Sequence, residues 1–133
     1  MRKALTLIGS ALLLVATSAS AAPSKSTLKG EADLAKTLEG MVPGKPVDCI
    51  NLRDIRTSRI FPGTAIAYQV GSTWYVNRPD NASFLRRDDI LITNTHSPQL
   101  CSIDIVRTMD SGAHFPTGSV GLSKFVPYKK VKG

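Results

Sequence analysis

Apolar positions along the chain fall into three regimes. Ala4 to Ala16 is an almost unbroken apolar run behind Arg2 and Lys3. Residues 31–41 carry an apolar stripe at helical spacing. From Val47 onward, short apolar stretches alternate with polar ones between clusters of Gly, Pro, Asn and Asp, which is the period of strands. The middle regime predicts a short helix from Glu31, with Leu34, Leu38 and Met41 on one stripe and Gly40 as a stop. Glu31 and Asp33 would sit in its first turn, where the helix dipole favours acid. Residues 22–30, small, polar and basic, read as a flexible leader.

The sharpest strand signal is Ala65-Ile-Ala-Tyr-Gln-Val70, Gly71-Ser72, Thr73-Trp-Tyr-Val-Asn77. A two-residue loop with Gly first suits a type II′ hairpin, because Gly takes positive φ there without strain. That loop pairs Val70 with Thr73, Tyr68 with Tyr75 and Ile66 with Asn77. Both faces of the hairpin are largely apolar, so it belongs inside a sheet with one side on the core and the other covered, the helix being the candidate cover. Further strands are expected at Asp48–Leu52, Ser58–Phe61, Ile90–Asn94, Leu100–Val106 and Phe125–Tyr128. In the fourth, alternation puts Cys101, Ile103 and Ile105 on one buried apolar face. Pro62-Gly63, Arg78 to Asn81 and Gly118 to Gly121 read as turns or loops. With no βαβ alternation and no repeat, the expected fold is mainly β (α+β): a small antiparallel sheet or partial barrel with one short N-terminal helix, over residues 31–133.

The first regime changes the picture from fold to compartment. A basic start, an apolar run shorter than the roughly 20 residues that span a bilayer, and small residues at Ala19-Ser20-Ala21 make a cleavable signal peptide over residues 1–21. The expected product is periplasmic or secreted, without a transmembrane anchor. The chain has 133 residues, with 17 Lys and Arg against 10 Asp and Glu, a net +7. Cleavage removes Arg2 and Lys3, so 15 basic against 10 acidic side chains leave +5 on the mature domain. This mild excess fits plain solubility or contact with an anionic envelope polymer or acidic partner. Nucleic acid is disfavoured by the compartment.

Export also decides what Cys49 and Cys101 are. In an oxidising compartment they predict one intramolecular disulfide, closing a loop of about fifty residues for which chain entropy gives roughly 4 kcal/mol. A redox pair would want Cys-x-x-Cys spacing, and two distant cysteines with two isolated histidines make no metal site, so no metal and no cofactor is expected.

Candidate chemistry is thin. His96 and His114 lie in apparent loops without a recognisable catalytic setting. Asp88-Asp89 are neighbours whose side chains would diverge in a strand, and Arg86-Arg87 before them read as a solvated turn. Asn81-Ala82-Ser83 is a formal glycosylation sequon. The least bland set is Arg53, Arg56 and Arg59 around one apparent turn, Arg78 after the hairpin and Arg107 after the Cys101 strand. Together with Tyr75 they form the candidate ligand site, since convergent arginines and tyrosines suit phosphate, carboxylate or uronate groups.

Taken together, Asp48-Cys-Ile50, Gly63-Thr-Ala-Ile66, Tyr75-Val-Asn-Arg-Pro79, Asp89-Ile-Leu-Ile-Thr93, Gln99-Leu-Cys101, Asp104-Ile-Val-Arg107 and Phe125-Val-Pro-Tyr128 resemble a family of small exported proteins of alpha-proteobacteria, sphingomonad-like bacteria in particular. The resemblance spans about Leu34 to Tyr128. It implies a Gram-negative periplasmic setting and the Cys49–Cys101 bridge, and it implies no activity, ligand or catalytic residue. The expected role is a non-enzymatic binding or envelope-accessory domain that contacts a protein or an anionic polymer. An inhibitor of an envelope-targeting enzyme such as a lysozyme is the alternative, and an envelope hydrolase is disfavoured.

Overall fold

The computed structural model describes residues 21–132, so the signal-peptide reading lies outside the described residues except for Ala21. Strands are numbered in chain order: β1 Met41–Pro43, β2 Cys49–Asn51, β3 Ile55–Phe61, β4 Ala65–Val70, β5 Thr73–Asn77, β6 Asp89–Thr93, β7 Gln99–Cys101, β8 Ile105–Asp110, β9 Pro116–Gly121 and β10 Phe125–Lys130. Helix α1 spans Lys25–Thr37. The strands form a five-stranded sheet ordered β1-β10-β5-β4-β3, a three-stranded sheet ordered β6-β8-β9, and a two-stranded pair β2-β7. Every pairing is antiparallel. The protein is mainly β with one helix, as expected.

The β4–β5 hairpin has the expected register, with Val70 opposite Thr73, Tyr68 opposite Tyr75 and Ile66 opposite Asn77. Gly71 takes φ +60°, the conformation the first loop position demands. The hairpin lies inside the five-stranded sheet, between β3 and β10. Ile66 and Tyr68 face the main core with Leu85, Leu100, Val106, Val120 and Phe125, and Tyr75 packs against it. The opposite face, with Phe61, Ala65, Ala67 and Val76, is covered by Leu34 of α1. Two apolar faces on one hairpin thus produce two cores, one between the sheets and one under the helix.

Four expectations are corrected. The helix begins at Lys25, capped by the Ser24 hydroxyl, which accepts from Thr27 N–H, so residues 25–30 are helical rather than a leader and Glu31 and Asp33 lie beyond the first turn. These early turns dock through small residues: a Cβ on Gly30 would meet the Pro62 carbonyl oxygen at 2.2 Å, and one on Gly63 would meet Thr27 Oγ1 at 2.6 Å. The strand expected over Leu100–Val106 is broken, because the Asp104 carboxylate accepts the Cys101 N–H at 2.7 Å and turns the chain. Ile103 and Ile105 are consequently 89 % and 63 % exposed instead of buried. Gly118 to Gly121, read as a turn or loop, belongs to strand β9, Pro116–Gly121, with its proline at the first position, where a missing N–H is tolerated. Met41, placed on the helical stripe, instead begins the short edge strand β1, Met41–Pro43.

Cys49 and Cys101 are bonded, with Cα atoms 4.0 Å apart, and sit directly opposite one another in the β2–β7 pair. Ile50 and Leu100 beside them are buried in the main core, so the bridge pins a three-residue pair that closes one side of it. Two asparagines tie the chain segments around the sheets together. Buried Asn77 donates to the Ser123 carbonyl at 2.6 Å and accepts the Ser123 N–H at 3.0 Å. Asn81 donates to the Ser119 carbonyl at 2.7 Å and accepts the Gly121 N–H at 3.2 Å, which covers the outer edge of β9. The sequon's amide nitrogen is therefore engaged in folding.

Candidate functional site

The arginine set does not converge on one site. Arg78 makes a two-pronged ion pair to Glu31 at 2.7 and 3.2 Å. Arg87, read from sequence as part of a solvated turn, pairs with Asp33. Arg59 donates to Thr37 Oγ1 at 3.2 Å while its guanidinium lies 5.1 Å from the centre of the Phe61 ring. Glu31, Asp33 and Thr37 all belong to α1. Three arginines from three separate segments therefore strap the helix to the sheet beneath it. Each half-exposed link contributes roughly 0.2–1 kcal/mol, so the strap supplements the burial of Leu34 rather than replacing it.

The remaining members are dispersed. Arg56 shares a shallow depression with Trp74 and Lys130 on the helix side of the five-stranded sheet. Arg53 lies in the single helical turn Leu52–Asp54. Tyr75 is half-buried against the main core and so is a packing residue. Arg107 stands on β8, the central strand of the three-stranded sheet, and none of the ion pairs among the described residues includes it.

The histidines are set apart from one another. His96 is exposed between β6 and β7. His114 is exposed in the turn between β8 and β9, with φ +55°. That turn is held by the Asp110 carboxylate, which accepts Gly112 N–H at 2.9 Å and Ala113 N–H at 2.7 Å. These two bonds, then the Arg86 and His114 charges, hold the Asp110 carboxyl below its ordinary range. No side-chain hydrogen bond joins Asp110 to His114, so the pair is an electrostatic neighbour contact and not an acid–base couple. Among the described residues no three His, Cys, Asp or Glu side chains gather as a metal site would require.

Two surface features stand out once the arginines are accounted for. The first is the outer face of the three-stranded sheet. Register places Ile90 opposite Met109, Ile92 opposite Arg107, and Arg107 opposite Ser119, with Ile105 next along the same face. An antiparallel sheet with one solvated face ordinarily alternates apolar inside with polar outside. Here Val106, Thr108 and Val120 already fill the inside, and the outside is again apolar, with Ile90 43 % and Ile105 63 % exposed around Arg107. The five-stranded sheet has a helix over its second apolar face; among the described residues this sheet has none.

The second feature is a cleft of about 450 Å³ between β3 and β6, the end strands of the two larger sheets. Ser58, Arg59 and Ile60 form one wall, Asp89, Ile90 and Leu91 the other, and Arg87 stands beside them. Sequence reasoning missed both features, because the first depends on which sheet face the helix covers and the second on which strands end their sheets. The one available signal was the alternation of Ile90 and Ile92 with Ile103 and Ile105, a surplus of isoleucine over what one core needs.

No helix among the described residues is long and apolar enough to cross a membrane. No family model, curated protein or solved structure matches the chain.

Proposed function

We propose that this chain is an exported, non-enzymatic binding protein that docks a partner protein through the outer face of β6-β8-β9. The uncovered isoleucine face around Arg107 carries this reading. Apolar side chains surrounding an arginine are the composition of interface centres, and an unpaired guanidinium there calls for a carboxylate on the partner. Export is supported by the signal-like N-terminus and by the disulfide, a bond that persists in oxidising compartments. The polymer-binding alternative loses its main support, since its arginines are dispersed or engaged with α1. A hydrolase has no assembled histidine to rest on.

The inhibitor reading keeps one specific observation. The β8–β9 turn adjoins the same face, is held from within by Asp110, and presents Phe115 51 % exposed. A pre-organised projecting turn is what an enzyme inhibitor inserts, because its ordering entropy is already met.

Photo-crosslinkers placed at Ile105 and, as a control, at Lys45, exposed in the loop between β1 and β2, test the docking face in the intact envelope of the host. The Ile105 position is expected to capture one stoichiometric protein that the control does not. Ile105→Asp and Arg107→Glu should abolish that capture while changing stability by no more than about 0.5 kcal/mol, as exposed substitutions do. Equal capture from both positions, or capture indifferent to the two substitutions, refutes the docking face.

A further inference from the structure

A strand at the end of a sheet exposes a row of unpaired N–H and C=O groups, and folded proteins shorten, cover or charge such edges. The edges of the two larger sheets are treated unequally here. The β1 edge is three residues long and ends in Pro43. The β9 edge is occupied by the Asn81 amide. The β3 edge is seven residues long, exposed along Arg56, Thr57, Ser58 and Arg59, and paired on one side only. Across the cleft, β6 is likewise paired on one side only. Three consecutive residues of each strand line the gap, and because successive side chains point to opposite faces, it is the strand edges that bound it.

We propose that the open edge of β3, across from β6, takes an extended acidic segment of a partner protein as an added strand. Recognition of this kind draws its affinity from main-chain hydrogen bonds and its selectivity from the side chains flanking the edge. The flanking charges on β3 are Arg56 and Arg59, neither of which is in an ion pair among the described residues, since Arg59 meets only the neutral Thr37 hydroxyl and the Phe61 ring; Arg87 at the mouth is already matched by Asp33. A second copy pairing β3 to β3 in antiparallel fashion, centred between Thr57 and Ser58, would set Arg56 of each copy against Arg59 of the other, and like charges across a strand pair are destabilising. The same arginines favour a strand bearing Glu or Asp. The edge is thus guarded against self-association and open to an acidic partner, discrimination by repulsion as much as attraction. Ile90 belongs both to the cleft wall and to the outer face of β6-β8-β9, so one partner can meet the two surfaces together. This assignment rests on the protein-binding reading above and adds to it the conformation and charge of the segment bound.

The test uses the oxidised protein and three synthetic peptides: alternating Glu and Val, alternating Lys and Val, and the Glu–Val peptide N-methylated along its length. Amide exchange of Arg56 to Ile60 is expected to slow with the first peptide and not with the other two. Arg56→Glu and Arg59→Glu should each weaken the first peptide about tenfold, and more in low salt. Arg56→Glu does not touch the helix strap and so separates binding from folding. No slowing on β3, slowing confined to β8 and β9, or equal binding of the Lys–Val peptide overturns the proposal. So does slowing of the same amides by raising protein concentration alone, which would make a second copy the occupant. Ile105→Asp should leave the peptide effect intact. A peptide that fails while crosslinking at Ile105 still captures its partner sinks the strand-addition site alone.

Discussion

At the scale of single residues, Tyr68 shows what tertiary context adds to sequence. Its ring packs edge-on against Phe125, with centroids 5.9 Å apart, and its hydroxyl is buried without a hydrogen-bond partner among the described residues. A buried hydroxyl left unpaired costs about 1–3 kcal/mol of desolvation, while the ring's burial is strongly favourable. Tyr68→Phe keeps the ring and deletes the cost, so the variant should be as stable as the wild type at neutral pH or more stable by about 1 kcal/mol, measured by chemical denaturation. Burial also raises the Tyr68 pKa well above its ordinary 10.0. A folded-state pKa above the unfolded one means stability is complete below 10.0 and is lost as pH rises beyond it. Alkaline destabilisation starting near that value is expected in the wild type and should be reduced in Tyr68→Phe. A variant at least 1 kcal/mol less stable at neutral pH would mean the hydroxyl has a partner after all. The sequence set Tyr68 beside Tyr75 on one apolar face of the hairpin, but nothing in it could reveal an orphaned hydroxyl, which depends on what every neighbouring strand brings.

At the scale of elements, legibility followed side-chain chemistry and failed where backbone contact decided the outcome. The β4–β5 hairpin was legible because apolar alternation, a Gly-first loop and length all agreed on one register. The first two turns of α1 were not, because Thr27 and Gly30 dock by closeness rather than hydrophobicity, and a polar stretch of Ser, Lys and Thr carries no apolar stripe to see. β9 was hidden by Pro116, Gly118 and Gly121, residues that usually end strands but that an edge position accepts. Gly30→Ala tests this docking by opposing two effects. Alanine in a helix interior gains up to about 1 kcal/mol over glycine. Here its Cβ would meet the Pro62 carbonyl oxygen at 2.2 Å and Thr64 Oγ1 at 2.5 Å. Overpacking costs about 1–3 kcal/mol, and a rigid backbone oxygen cannot yield, so the clash outweighs the propensity gain. The variant should be less stable by about 1–2 kcal/mol, with Leu34 amide exchange faster than in the wild type. A stabilised Gly30→Ala would show that the helix is not seated on the Pro62–Thr64 turn.

At the scale of the whole molecule, the candidate site was legible by residue type and illegible by place. Arginine was the right residue to notice, yet three arginines hold α1 and Arg107 alone stands on an open apolar face, a division fixed by partners such as Glu31 and Asp33 that sequence order does not bring near. The cysteines were the opposite case, since a chain with two thiols has one intramolecular pairing. Their effect reaches the whole fold, because the β2–β7 pair is only three residues long on each side and carries Ile50 and Leu100 into the main core. So short a pair, held by its ladder alone, is marginal. The bridge, at a sequence separation of 52, adds the entropic constraint that keeps it closed. Replacing both cysteines by alanine should cost roughly 2–4 kcal/mol, a large share of the 5–15 kcal/mol typical of a folded domain. Denaturation of the wild type with and without reductant should show a loss of the same size, and the double variant should be indifferent to reductant. If the wild type keeps its full stability when reduced, the bridge is dispensable. The loss predicted here makes the fold depend on redox conditions, because a reducing compartment would withhold this stabilisation and an oxidising one would supply it.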